Sequence, residues 1–110
     1  MKFTLTLPPT TNHIYGTHGH QRFLTKEAKE WKEEAQWIFK TEYQQDLITI
    51  PVKVNVNFYL KRDRDIDNLK ILLDSLQGII INNDSQVVSL YIAKHKSDNP
   101  HVEIEVDTLI

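Results

Sequence analysis

The chain of 110 residues contains no cysteine, only three glycines and no long apolar run. The missing thiols exclude disulfides, thiolate metal sites and cysteine nucleophiles. No run approaches the roughly 20 apolar residues of a membrane-spanning helix, and the first residues lack the apolar core of a signal peptide. We therefore expect a cytoplasmic protein without a membrane partner. With 40% hydrophobic and 25% charged residues, residues 1–110 have the composition of one globular domain.

The chain also lacks a net positive charge. Its formal net charge of −2 argues at first against a nucleic-acid partner. Five of the fifteen acids, however, fall within one short region of the sequence: Asp63, Asp65, Asp67, Asp74 and Asp84. The other ten acids face thirteen Lys and Arg residues, which leaves +3. A divalent cation bound to these five acids would leave a mildly basic surface.

The first third of the chain predicts a strand, a long loop and a helix. Residues 2–7 alternate between polar and apolar side chains and stop at two prolines, whereas residues 8–24 show no period and are expected to form a loop. Thr25 is a suitable cap for a helix that starts at residue 26. Trp37 lies nearly opposite the apolar face of that helix, which favours a second contact surface such as a dimer interface.

The rest of the chain alternates between strand and helix patterns. Residues 52–60 form the clearest strand, with every even position apolar. Leucines at helical spacing predict a helix over residues 67–77. Strands are expected over residues 87–94 and 102–106, and residues 97–100 between them have the composition of a hairpin connection. The order of elements predicts an α+β fold with two helices and a mixed, mostly antiparallel sheet.

Three carboxylates fall at the boundaries of these elements. Asp65 ends a strand, Asp67 begins a helix, and Asp84 occupies a turn after a short buried run. Carboxylates without histidine or cysteine favour a hard cation such as Mg²⁺ or Mn²⁺. Lys70 and Asp74 lie on the helix face that the leucines do not use, and Lys70 could offset the negative charge of a phosphoryl group.

Two other interpretations of the acids remain open at this point. Asp67 and Asn68 could serve only as helix caps beside a solvated run of charge. Asp63, Asp65, Asp67 and Asp74 also occupy positions 1, 3, 5 and 12 of an EF-hand loop. That match is poor, because position 6 is Asn68 where the loop requires glycine, and a strand precedes it where a helix is required. Asp63 has no role in the magnesium interpretation.

Two regions offer contacts to a DNA backbone, if DNA is the partner. The predicted loop contributes Asn12, His18, His20 and Arg22, and the segment after the central strand contributes Lys61, Arg62 and Arg64. A further small basic group, residues 94–96, is more typical of an ordinary protein surface.

Five segments in this order and spacing carry a resemblance to a known family: residues 7–13, 22–31, 64–68, 72–76 and 83–88. The chain resembles the RusA family of Holliday junction resolvases, which are metal-dependent endodeoxyribonucleases often carried by phages and prophages. The similarity covers nearly the whole length.

The resemblance implies a RusA-like α+β homodimer whose two active sites cut opposing strands of a four-way junction. It implies Mg²⁺ as the cofactor, with Mn²⁺ also supporting activity, and no small-molecule cofactor. The metal-binding aspartates correspond to Asp65, Asp67 and Asp84, and the catalytic lysine to Lys70. Three further residues are expected beside the metal ligands: Asn68, Asp74 and Asn83.

The chain departs from the family pattern at two positions. Lys70 follows Asp67 by three residues where the family usually has four, and Asn83 stands where the family often has an acid. Both departures keep a second hypothesis open, a branched-DNA-binding module that has lost hydrolysis.

Overall fold

The structure, a computed structural model, describes residues 1–10, 15–18, 21–64 and 69–109, and of residues 15–18 and 21–23 it describes the backbone only. In chain order its elements are β1 (Lys2–Leu5), β2 (Tyr15–His18), β3 (Gln21–Leu24), α1 (Lys26–Glu42), β4 (Val52–Leu60), α2 (Leu69–Leu76), a 3₁₀ turn (Asp84–Gln86), β5 (Val87–Lys96) and β6 (His101–Thr108).

Four strands form one mixed sheet in the order β1-β6-β4-β5. β4 pairs parallel with β5 and antiparallel with β6, and β1 pairs antiparallel with β6. The prediction of an α+β fold with two helices and a mixed, mostly antiparallel sheet is confirmed for the described residues. No helix in this part of the chain is long and apolar enough to span a bilayer.

β4 is the centre of the core because one of its two faces is entirely apolar. Val52, Val54, Val56, Phe58 and Leu60 are all buried. Each such side chain stabilises the fold by about 1.5–3 kcal/mol when fully buried. The alternate residues of β4 are half-buried or exposed on the opposite face of the sheet.

α1 begins and packs as its sequence predicts. The Thr25 hydroxyl accepts a hydrogen bond from the Ala28 amide at 3.2 Å and so caps the helix. Four residues at helical spacing are buried: Ala28, Trp31, Ala35 and Phe39. The Phe39 ring meets Phe3 of β1 edge to face, with ring centroids 5.0 Å apart. α1 is thereby fixed against β1, and Trp37 is 67% exposed, as expected.

The loop predicted over residues 8–24 is partly wrong, because β2 and β3 pair within it as a separate antiparallel hairpin. These four-residue strands carry glycine, histidine and glutamine in place of a regular apolar alternation. The pairing of their backbones defines β2 and β3, and the pattern of side chains in the sequence does not reveal that pairing.

The hairpin connection predicted at residues 97–100 is also wrong. β4 lies between β5 and β6, so this segment crosses the end of β4, where the Ser97 amide donates to the Leu60 carbonyl at 2.9 Å. Turn-forming residues indicate that the chain reverses, but they do not say which strands become neighbours. The strongly apolar β4 takes the central position and pairs on both sides.

α2 covers residues 69–76 of the predicted 67–77, and residues 67 and 68 lie outside the described part of the chain. Its buried residues are Ile71, Leu72, Ser75 and Leu76, while Leu69 and Leu73 are half-buried. At 100° per residue, with Asp67 at 0°, the buried face therefore centres near 110°, where the leucines alone predict about 190°. α2 packs against α1, so tertiary contacts as well as the leucine stripe decide which face of α2 is buried.

The end of α2 leads into a turn that one glutamine holds. Gly78 has φ +82°, the left-handed conformation that stops a helix. Gln86 Oε1 accepts from the amides of Asn82 and Asn83 at 2.8 and 2.9 Å. Gln86 Nε2 donates to the carbonyls of Ile48 and Ile50 at 2.8 and 2.9 Å. One side chain thus joins the turn before β5 to the segment before β4.

We predict that Gln86→Glu lowers the free energy of unfolding by about 2 kcal/mol, because it removes two hydrogen bonds and places a carboxylate against two carbonyl oxygens. Urea denaturation measures the change. The matched control is Gln45→Glu, an exposed glutamine for which the structure shows no hydrogen bond, and its expected effect stays within about 0.5 kcal/mol. Equal midpoints for the two variants would contradict the role of Gln86.

Candidate functional site

Two of the predicted metal ligands, Asp65 and Asp67, come shortly after β4 in the sequence. β4 ends at an edge of the sheet where β5 also ends. Because β4 and β5 are parallel, their carboxyl ends lie side by side, with Leu60 opposite Lys96. Asp65, Asp67 and Asn68 come shortly after Leu60 but lie outside the described residues. In open sheets, the crevice beyond the carboxyl ends of parallel strands is a common ligand site.

The approach to Asp65 is held from two sides. The Arg64 carbonyl accepts a hydrogen bond from Lys94 Nζ at 3.0 Å, so β5 holds the backbone just before Asp65. The Arg64 guanidinium donates to the Pro8 carbonyl at 2.6 Å, so the segment after β1 holds the side chain. These contacts hold both the backbone and the side chain of Arg64.

Lys94 also gives Asp63 a partner. Its Nζ lies 2.8 Å from Asp63 Oδ1, and this hydrogen bond together with the positive charge lowers the pKa of the Asp63 carboxyl. Asp63 is exposed, so the pair by itself adds little stability. Its oxygen is nonetheless engaged by Lys94, which argues against Asp63 as the first ligand of a calcium loop. The sequence offers both charges, but only the parallel pairing of β4 and β5 brings them together.

Lys70 and Asp74 share one face of α2, as predicted. Lys70 Nζ lies 4.0 Å from Asp74 Oδ2, and the Lys70 side chain is 73% exposed. Asp74 Oδ1 also accepts a hydrogen bond from Gln77 Nε2 at 3.1 Å. Exposed ion pairs at this helical spacing contribute only about 0.3–0.5 kcal/mol, so Lys70 can exchange Asp74 for another anion at little cost.

Asp84 is the one predicted metal ligand that the structure describes. It begins the 3₁₀ turn, is half-buried, and accepts no hydrogen bond on its carboxylate from the described residues. Asn83 has a structural role beside it, because its Oδ1 accepts from the Ser85 amide at 2.9 Å and caps the turn. Asn83 therefore holds Asp84 in place, a role that the sequence reasoning missed although an asparagine before a turn signals it.

The described residues contain no group of three or more histidine, aspartate or glutamate side chains that could hold a metal ion. Two of the three predicted ligands lie outside them, so the convergence of Asp84 with Asp65 and Asp67 stays a prediction.

The residues predicted to contact DNA divide into three groups. Asn12 and His20 lie outside the described residues. His18 and Arg22 lie on opposite, paired strands, β2 and β3. Lys61 and Arg62 line a cleft of about 550 Å³ at the end of β4, whereas Arg64 lines a different cleft with three glutamates of α1.

The first of these clefts brings in residues that the sequence suggested were ordinary surface. Lys94, His95 and Lys96, at the end of β5, line it together with Lys61 and Arg62. The basic pattern at residues 94–96 is visible in the sequence. Its position next to residues 61 and 62 is not visible in the sequence, because it depends on the parallel register of β4 and β5.

We predict that Lys94→Met releases the segment before Asp65, because the backbone of Arg64 loses its contact with β5. Amide hydrogen exchange of a peptide covering residues 61–66 should accelerate by about three- to tenfold. Lys94→Arg keeps the charge and the donors and should preserve most of the protection. Lys53→Met is the control, an exposed lysine near the start of β4. Unchanged exchange in Lys94→Met would show that Lys94 does not hold this segment.

Comparison with known proteins places the chain in a family. A sequence profile described as Endodeoxyribonuclease RusA matches residues 6–107, from the end of β1 to the end of β6. The chain is also 28% identical over 90 residues to the crossover junction endodeoxyribonuclease RusA of Aquifex aeolicus (strain VF5), an alignment that covers 78% of this chain and 71% of that protein. The matched range includes every candidate residue described above, and the chain belongs to the RusA family of endodeoxyribonucleases.

Proposed function

We propose that this chain is a Mg²⁺-dependent endodeoxyribonuclease that resolves Holliday junctions and related branched DNA by hydrolysing a pair of phosphodiester bonds. The name of the Aquifex aeolicus relative describes a crossover junction endodeoxyribonuclease, which supports the substrate class. The observation that carries the proposal is Asp84, a half-buried carboxylate without a hydrogen-bond partner among the described residues, on a turn that a cap and a glutamine hold rigid.

The donor set suits a hard divalent cation. Asp65, Asp67 and Asp84 would hold Mg²⁺, and Mn²⁺ would support the same chemistry, because both ions prefer carboxylate oxygen. A carboxylate that no protein group engages is available to a bound cation. When bound, the ion supplies Lewis-acid polarisation of a phosphoryl oxygen and a more acidic water.

Lys70 supplies positive charge from the exposed face of α2. Its weak pair with Asp74 keeps the ammonium on that face and leaves it free to turn toward a phosphate. There it would stabilise the negative charge that develops on the phosphoryl oxygens. Lys61 and Arg62 would attract the DNA backbone at the end of β4, and the β2–β3 hairpin would add contacts through Arg22 and the nearby histidines.

We also propose that the active form is a homodimer. A junction with two-fold symmetry presents two equivalent bonds, and a symmetric dimer presents two equivalent sites. The exposed apolar side chains favour the free edge of β5 as the interface, since Val88 is 60% exposed, and Leu90 and Tyr91 (58%) are exposed on opposite faces of the strand. An exposed edge strand with apolar side chains is prone to pair with another chain. Trp37 is the alternative surface.

Asp67→Asn should reduce cleavage of a synthetic four-way junction in Mg²⁺ by about 1,000-fold or more, because the loss of one metal carboxylate removes several kcal/mol of stabilisation of the transition state. Binding of the junction, measured without divalent ions, should change little. The control is Asp46→Asn, which removes an exposed aspartate just before β4. Full cleavage by Asp67→Asn would rule out the proposed metal site.

Sedimentation velocity at micromolar concentration tests the dimer. The wild-type chain should sediment as a dimer and Tyr91→Lys as a monomer, because the change places a charge at the exposed apolar edge of β5. Trp37→Lys should stay dimeric. Dissociation by Trp37→Lys but not by Tyr91→Lys would move the interface to α1, and a monomeric wild type would contradict the dimer.

Two features of the chain favour the second hypothesis, a branched-DNA-binding module without hydrolysis. Lys70 comes one residue earlier than the family pattern, and Asn83, which replaces a family acid, serves as a cap. Binding of a junction without cleavage in either Mg²⁺ or Mn²⁺ would select that function.

A further inference from the structure

We propose that the cleft between the ends of β4 and β5 binds the phosphodiester backbone of one DNA strand, and that the end of β5 is part of the DNA-binding surface. The inference rests on the proposed function and assigns a site to it. We call this site the basic cleft; it has a volume of about 550 Å³, and its charged walls are Lys61, Arg62, Asp63, Lys94 and Lys96.

The charge of the basic cleft is strongly one-sided. Four Lys and Arg side chains line it with a single acid, Asp63, although the whole chain carries a formal net charge of −2. Asp63 is already paired with Lys94. In the described part of the chain, Lys61, Arg62 and Lys96 have no ion pair or hydrogen bond from their side chains. Unpaired cations in one cleft repel each other and attract a polyanion.

The wall of the basic cleft on the β5 side is rigid. The His95 ring stacks on Tyr59 with ring centroids 4.8 Å apart, and the other face of Tyr59 stacks on His101 at 4.4 Å. His95 Nε2 also lies 2.8 Å from Asn57 Oδ1. Three neighbouring strands are thereby joined at the level of the cleft. Lys94 and Lys96, on either side of His95, start from fixed backbone positions, which lowers the entropy lost on binding.

These contacts also define the kind of ligand. Among the described residues that line the cleft, His95 carries the only ring, and that ring is already stacked on Tyr59, which lies outside the lining. The cations remain, and separate ammonium groups recognise phosphates as point charges without reading sequence. A run of backbone phosphates fits this arrangement better than a nucleobase does.

The position of the basic cleft connects it to the proposed active site. Lys94 lies in the cleft wall and also holds the Arg64 carbonyl, one residue before Asp65. A strand bound in the cleft would therefore lie next to the segment that carries two of the proposed metal ligands. The cleft would position the strand whose phosphate is cut.

Binding of a fluorescent four-way junction in EDTA, followed by anisotropy from about 50 to about 200 mM salt, tests the inference without hydrolysis. Lys61→Gln and Lys96→Gln each remove one charge with little change of size. The plot of log K against log salt has a negative slope, and each variant should make that slope less steep by about 0.9. The double variant should make it less steep by about twice that amount. The double variant should also bind at least about tenfold more weakly at the lowest salt. Lys53→Gln is the matched control and should match the wild type.

The outcomes separate this inference from the proposed function. A wild type that binds and cuts the junction, with a double variant of unchanged slope, would overturn the basic cleft and leave the nuclease standing. A weaker affinity with an unchanged slope would overturn it too, because a lost phosphate contact must change the slope. A wild type that neither binds nor cuts a junction would overturn the proposed function itself. Since both lysines are exposed, thermal unfolding of each variant should match the wild type.

Discussion

The parallel pairing of β4 with β5 is the constraint on which the rest of the molecule depends. Two parallel neighbours cannot be joined by a tight turn, so the chain crosses back through α2 and the turn that carries Asp84. The same pairing places the ends of both strands at one edge. Lys94 then lies beside Asp63, and Lys96 beside Leu60. In an antiparallel pair, these two strand ends would lie at opposite edges.

Local patterns predicted the parts of this fold that local forces determine. The alternation of β4, the Thr25 cap and the apolar face of α1 were predicted correctly, because each depends on residues close together in the chain. The hairpin predicted at residues 97–100 was wrong, because turn-forming residues do not determine which strands become neighbours. The buried face of α2 differs from its leucine stripe, because α2 also packs against α1, which is distant in sequence.

The candidate site shows the same division. Lys70 and Asp74 were placed correctly because four residues along a helix return to one face. Asp63 had no assignment, since its partner stands 31 positions further along the chain and is brought near only by the sheet. Asn83 is predicted to lie beside the metal ligands, and in the structure its side chain caps the turn. A polar residue beside a predicted ligand can support that ligand mechanically without touching a metal.

The ammonium group of Lys94 has three hydrogens to donate, and the structure uses two of them, one for the Asp63 carboxylate and one for the Arg64 carbonyl. Lys94 also lines the cleft. A phosphate that accepts the third hydrogen would be joined through a single nitrogen to the backbone preceding Asp65. The DNA strand and the residue that precedes the proposed metal ligands would then share one anchor.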